Sequence, residues 1–377
     1  MSKVVEKKKI LIICVSIFLS LVILAGLPFG IIAIVKRAKI VTHDFVGVLP
    51  EKNKIILFIG DGMGANHIEI AQTYLNKTVC FEGFQYKGRV TTDSTAFLSP
   101  TDSAAAATAL ATGEKVNNGA VARKNDKNVK SISEYAKEKN LGVGVVTTDS
   151  LNGATPACFS AHANNRGDSV DIIESQLVSD IDIFLGAGYG TYSAYAQRFE
   201  NAGYEFSNNY SNLNLDANKV VGSFPSIANS NPTDETPTLT SLVEFAVDFL
   251  EQKYPDGYFL MVEGAHIDKM SHDNRMLDMI EYLNEFDKAI AFAKDRFAND
   301  NDMALIVTAD HETGNLRKFT GTKEDISDSL FRSAGHSSQN VNYYLHFCGG
   351  DCSVYMPKKI DNTDIYRMCY NMLIARQ

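Results

Sequence analysis

The chain has 377 residues, 45% of them hydrophobic and 21% charged, an ordinary globular composition with room for one large α/β domain. Residues 1–40 hold seven Lys or Arg and one Glu, so the net charge of −9 leaves −9 − 6 = −15 for the remainder. Such an acidic domain argues against a nucleic-acid-binding surface, and it repels phosphate esters unless bound cations match part of the excess.

Residues 10–35 carry no charge, a run of 26 residues rich in Ile, Leu and Val and long enough to span a bilayer. Basic residues flank it on both sides, Lys3, Lys7, Lys8 and Lys9 before it and Lys36, Arg37 and Lys39 after it, so the positive-inside bias is weak. No small-x-small cleavage site or lipobox accompanies the run. Residues 1–40 therefore read as an uncleaved signal anchor, one transmembrane helix that leaves the rest of the chain outside the cytoplasm at the cell membrane. Residues 41–53 read as a linker and residues 54–377 as a single catalytic domain.

Along that domain, apolar runs of strand length alternate with amphipathic stretches, which predicts an α/β fold with a mostly parallel central sheet flanked by helices on both faces. Strands are predicted at residues 54–60, 141–147, 181–185, 258–262 and 304–308. Helices are predicted at 103–112, 131–139, 169–178, 239–252 and 276–298, the last with a 3.6-residue apolar period through Leu277, Ile280, Leu283, Phe286 and Ile290. Residues 186–237 turn to Asn, Ser, Tyr and Gly and read as an elaborated loop region or small cap. The six cysteines fit no zinc-finger spacing, and Cys348 with Cys352 reads equally as a small disulfide loop or as two thiols.

Chemistry-bearing residues follow the strands. The run at 54–60 ends at Asp61 in a Gly-rich turn, the run at 258–262 ends at Glu263, and the run at 304–308 leads to Asp310 and His311. In a parallel sheet the strand carboxyl ends share one edge, so these acids and imidazoles converge, and such a gathering needs cations. Asp268 and His272 stand at i and i+4, on one face of a helical turn, as a zinc site requires. Gly335-His336 offers a further imidazole, Lys269 stands within reach of a bound phosphate, and His266 fits neither spacing.

The segment from Ser99 to Gly113 puts Asp102 and Ser103 at the start of an Ala-rich helix, where the dipole and free N–H groups favour anions and a serine is well placed to act as a nucleophile. An ordinary capped helix explains the same residues. Thr155 offers a hard oxygen suited to magnesium, and Arg166 a fork for two phosphate oxygens, although helix capping and a solvated arginine explain the two residues on their own.

Taken in order, Asp61-Gly-Met-Gly, Thr101-Asp-Ser-Ala-Ala, Ala154-Thr-Pro-Ala, Glu263-Gly-x-x-Ile-Asp-Lys-x-x-His, Thr308-Ala-Asp-His and Gly335-His resemble the alkaline phosphatases, compact bacterial branch, from about Ile55 to His336. The resemblance implies one zinc on Asp268, His272 and His336 and a second on Asp310, His311 and Asp61, with Ser103 presented to it. It also implies a magnesium held by Thr155 and Glu263 with Asp61 bridging, Arg166 on the phosphoryl oxygens oriented by Asp102, and Lys269 on the phosphate side. The implied activity is hydrolysis of small phosphate monoesters through a phosphoserine, and homodimers are common in the family.

One position departs from the family pattern. Members commonly carry Asp or His two residues before the Thr or Ser of the third site, and this chain has Gly153, which puts magnesium affinity in question rather than the two-zinc core. Two rival classes remain open at this stage, a related metal-dependent phosphodiesterase or sulfatase and a catalytically silent surface protein that binds phosphate.

Overall fold

The computed structural model describes His43 and residues 49–375, except 97 and 351. Its centre is a ten-stranded sheet. From one edge the order is Lys359–Asp361, Tyr86–Thr91, Val341–Phe347, Met303–Thr308, Lys54–Gly60, Tyr258–Gly264, Gly142–Ser150, Ile183–Ala187, Lys219–Phe224 and Tyr204–Ser207. Val341–Phe347 runs antiparallel to both neighbours and the other pairings are parallel, which is the mostly parallel sheet expected.

Lys54–Gly60, Tyr258–Gly264 and Met303–Thr308 are buried along their whole length, as continuous apolar runs in a doubly covered sheet require. Phe58 meets Phe286 of the Met276–Arg296 helix edge-on with centroids 6.1 Å apart, and Phe259 stacks on Phe159 of the Ala154–Ser160 helix at 6.0 Å. Register places Phe58 beside Val262 and Ile55 beside Phe259, so Phe58 and Phe259 point to opposite faces. One layer holds Ala65–Leu75, Leu239–Lys253 and Met276–Arg296, the other Ser103–Thr112, Ile132–Glu138, Ala154–Ser160 and Asn362–Leu373.

The helix predicted at 103–112 has those bounds because Asp102 accepts the Ala105 N–H at its start and Gly113, at φ 72°, ends it. The helix predicted at 276–298 stops at Arg296, and its buried stripe runs through Met276, Met279, Ile280, Leu283, Phe286 and Ile290, leaving Leu277 48% exposed. Residues 186–237 are more than a cap. They contribute Tyr204–Ser207 and Lys219–Phe224, which pair in parallel and extend the main sheet beyond Ile183–Ala187, while the polar composition belongs to the connections.

Part of the expected linker is bonded to the domain, since Lys52 N–H donates to Met372 at 2.8 Å and His43 N–H donates to Asp364 at 2.7 Å. Cys348 and Cys352 are free thiols. Among the described residues no helix is long and apolar enough to cross a membrane, and the anchor expected at residues 1–40 lies outside them.

Candidate active site

Parallel register assembles the site. Ile59 is level with Thr308 on one side and Glu263 on the other, and Glu263 is level with Thr147. Asp61, Asp310 and Asp149 each stand two residues beyond one of these positions, so three carboxylates and Glu263 meet at one sheet edge.

The turn after Asp61 lets a helix come close. Gly62 has φ 71°, and a Cβ there would lie 2.8 Å from Asp268 Oδ1 and 2.9 Å from the Asp268 backbone, so only glycine admits the His266–His272 helix at this distance. Gly62 N–H donates to Asp310 Oδ1 at 3.1 Å and its carbonyl accepts from Thr313 N–H at 3.1 Å. His336 arrives on a two-residue strand that pairs Thr313 with His336. An imidazole that is isolated in sequence is thereby set against Asp310 and His311.

Two groups of ligand-type atoms result. Asp61, Asp310 and His311 present atoms within 4.8 Å of one another, and so do Asp268, His311 and His336. His272 joins the second group, with its Nε2 3.3 Å from Asp268 Oδ2 and 3.1 Å from His336 Nε2. His311 Nε2 lies 3.2 Å from Asp310 Oδ2 and 3.5 Å from Asp61 Oδ1, and its ring stacks on His336 with centroids 3.6 Å apart. Asp61 Oδ1 and Asp310 Oδ2 are buried with no hydrogen-bond partner. Such orphaned carboxylate oxygens facing imidazole nitrogens fit a pair of divalent cations.

Each imidazole is held in one tautomer. His272 Nδ1 faces the Ala334 carbonyl and His336 Nδ1 the Thr101 carbonyl at 2.9 Å; a carbonyl only accepts, so both Nδ1 atoms donate and both Nε2 atoms are turned toward Asp268. The Thr313 hydroxyl donates to Asp268 Oδ1 and lies 3.3 Å from His311 Nδ1, which orients that ring in the same sense.

Burial and the crowding of carboxylates set the electrostatics of the site. Burial, with the charge of Asp310, raises Asp61 well above the usual carboxylate range; burial and Asp268 push Asp310 up to about 6. Burial and Asp149 push Glu263 up to about 8. Asp268, despite burial, is held below its ordinary value by its hydrogen bond to His272 and by His311, and that same bond pushes His272 up to about 9. Burial brings His311 down to about 4.

Ser103 is 3% exposed, and its Oγ lies 3.2 Å from His311 Nε2. Asp102 accepts from Ala105 N–H at 2.9 Å, from Gly119 N–H at 3.0 Å and from Arg166 Nη1 at 3.3 Å, so the residue that caps the helix also tethers the arginine. The side chain of Arg166 remains 40% exposed.

A family model described as alkaline phosphatase matches residues 51–355. The chain belongs to the alkaline phosphatase family. It is 33% identical over 288 residues to alkaline phosphatase 4 of Bacillus subtilis, covering 70% of this chain and 62% of that protein. It is 29% identical over 341 residues to the Escherichia coli alkaline phosphatase, covering 71% and 72%. The chain thus spans less than two thirds of the Bacillus relative. The solved alkaline phosphatase of the Antarctic bacterium TAB5 superposes with a TM-score of 0.75 at 27% identity, covering 87% of this chain and 100% of that one. A variant of that enzyme solved with Mg in its M3 site superposes at 0.74.

Against the alkaline phosphatase pattern, two residues enter that sequence reasoning missed. Thr313 joins His311 to Asp268 through one hydroxyl. Asp149 pairs with Lys269, so that lysine is drawn to the sheet edge. The Thr147 hydroxyl donates to Glu263, and Thr155 Oγ1, 1% exposed as a residue, is buried without a hydrogen bond of normal geometry. His266 Nδ1 lies 3.1 Å from Thr148 Oγ1 and its ring stacks on Tyr282, apart from the ligand groups.

Proposed function

We propose that the chain hydrolyses phosphate monoesters to an alcohol and inorganic phosphate through a phosphoserine on Ser103, with two zinc ions and one magnesium. The reading rests most on the 3.2 Å separation between Ser103 Oγ and Nε2 of His311, the residue shared by both ligand groups. Asp268, His272 and His336 suit one zinc, Asp61, Asp310 and His311 the second, and Glu263 and Thr155 with Asp61 suit magnesium. When bound, these cations supply Lewis acidity that lowers the pKa of a hydroxyl or a water and neutralises phosphate charge.

The chain's own residues do the positioning. Ser103 Oγ gives up its proton to solvent and attacks phosphorus in line; the Oγ–P bond forms as the ester P–O bond breaks, and the leaving oxygen takes a proton from solvent to depart as the alcohol. Water then attacks the phosphoserine, the Oγ–P bond breaks, and Ser103 and inorganic phosphate are released. Arg166, tethered by Asp102, grips two phosphoryl oxygens, and the free N–H groups at the start of the Ser103–Thr112 helix add positive potential. These groups bind the phosphoryl moiety and not the alcohol, so broad monoester specificity follows.

The test is hydrolysis of an aryl phosphate by the purified chain before and after chelation, beside an aryl diester and an aryl sulfate. Chelation-sensitive turnover of the monoester alone is expected. Preference for the diester or sulfate, or phosphate binding without turnover, would establish one of the rival classes. The uncharged run at residues 10–35 favours a single-pass anchor with this activity outside the cytoplasm.

A further inference from the structure

Gly153 reads in sequence as the loss of a side chain from the third cation site. The fold fills that gap from another position. A Cβ on Gly153 would lie 2.8 Å from Asp149 Oδ2 and 2.9 Å from the Ser150 carbonyl, so the Asp149 carboxylate already occupies the space a side chain at 153 would enter. The two positions compete: with Asp149 in this place, a side chain at 153 would force the Asp149 carboxylate or the Ser150 backbone to move.

Asp149 is held there firmly. Its N–H donates to Thr147 Oγ1 at 2.9 Å, its Oδ1 accepts from Ser150 N–H at 2.6 Å, and the same oxygen takes the Lys269 ammonium. Oδ2 is the oxygen turned toward Gly153. Thr147 in turn bonds Glu263, and Asp149 is the charge that bears most strongly on Glu263. Beside them Thr155 Oγ1 is buried without a normal hydrogen bond. Hydroxyl and carboxylate oxygens of this kind form a hard-donor set, the kind magnesium prefers while keeping several waters.

We propose that Asp149 closes the third cation site in place of the side chain absent at Gly153 and, through its ion pair, turns Lys269 toward that site, an inference that rests on the phosphatase reading above. Asp149 is a positioning residue in this account. It would supply charge and orient the lysine and waters around a magnesium held by Glu263, Thr155 and Asp61.

The test is a calorimetric titration of Mg2+ into the full-length, zinc-loaded chain. Asp149→Ala and the milder Asp149→Asn should each weaken Mg2+ affinity, the former about 10–100-fold, with zinc content unchanged. Gly153→Asp alone should lower the thermal midpoint, because its Cβ meets both Asp149 Oδ2 and the Ser150 carbonyl; in the Asp149→Ala background, where only the carbonyl contact remains, the loss should be smaller and most of the Mg2+ affinity should return. Mg2+ affinity within about twofold of the parent in both Asp149 variants, or a Gly153→Asp effect that is the same with and without Asp149, would overturn the proposal. Hydrolysis of an aryl phosphate is measured separately: a chain that binds Mg2+ through Asp149 without turnover refutes the phosphatase reading alone.

Discussion

His272 and His336 face each other through Nε2 atoms 3.1 Å apart, each ring donating its Nδ1–H to a backbone carbonyl. Both lone pairs therefore point to one spot beside Asp268, and a positive charge has to sit there. The hydrogen bond to Asp268 pushes His272 up to about 9, so without a cation the imidazole should carry that charge as a proton at neutral pH. Zinc bound there would displace it. Binding at pH 7 should release about one proton or more per chain, and affinity should rise with pH. Calorimetry in buffers of different ionisation enthalpy measures the release; proton-neutral binding would contradict this geometry.

The same shifts give the metal-free protein a pH-dependent stability. Glu263, pushed up to about 8, and His272, at about 9, keep protons in the folded state above the values of 4.5 and 6.5 at which the unfolded side chains release them. Their contribution to stability is therefore lost as pH rises toward those folded values. Burial lowers His311 to about 4 and also lowers His336, which acts the opposite way, but only below pH 6.5 where the unfolded imidazoles are charged. Between about pH 6.5 and about pH 9 the thermal midpoint of chelated protein should fall, and zinc should restore it most at the alkaline end. A midpoint that rises across this range in chelator would refute the assignment.

Thr313 couples the two groups of ligand-type residues through a single hydroxyl. Thr313→Val keeps the volume but leaves Asp268 Oδ1 without its donor and His311 Nδ1 without its acceptor. Zinc affinity should drop about 10–100-fold, the usual scale for a residue that orients metal ligands. Competition with a chromophoric chelator reads this directly; unchanged affinity would show that the hydroxyl orients neither ligand.

Asp102 and Arg166 separate capping from phosphate binding. Arg166→Ala should raise KM and weaken inhibition by inorganic phosphate with the fold intact, because its side chain is 40% exposed. Asp102→Ala should do the same and also cost about 1 kcal/mol of stability through the lost helix cap. Steady-state kinetics with thermal denaturation distinguishes them, and equal stability of the two variants would show that the cap contributes nothing.

Much of this arrangement is legible before folding. The runs at 54–60, 258–262 and 304–308 stand out because strands buried on both faces must be continuously apolar, and parallel register then brings Asp61, Glu263 and Asp310 together. Tyr86–Thr91 does not stand out, since this half-exposed strand carries Lys87, Gly88 and Arg89 and owes its structure to pairing with Val341–Phe347. Thr313 stands two residues beyond the Thr308-Ala-Asp-His motif, but its partner Asp268 is 45 residues away. Asp149 is concealed for another reason: a side chain missing at one position and supplied from another looks in sequence like a deficit, and only the distance from Gly153 shows it to be an exchange.

The most direct measurement is an acid quench of the zinc-loaded chain during turnover of an aryl phosphate, followed by mass spectrometry of the peptide containing Ser103. Phosphate on Ser103 is expected, absent after chelation, with Ser103→Ala slower by about a thousandfold or more although its zinc content is unchanged. Undiminished hydrolysis by Ser103→Ala, or phosphate trapped on a different residue, would contradict the account.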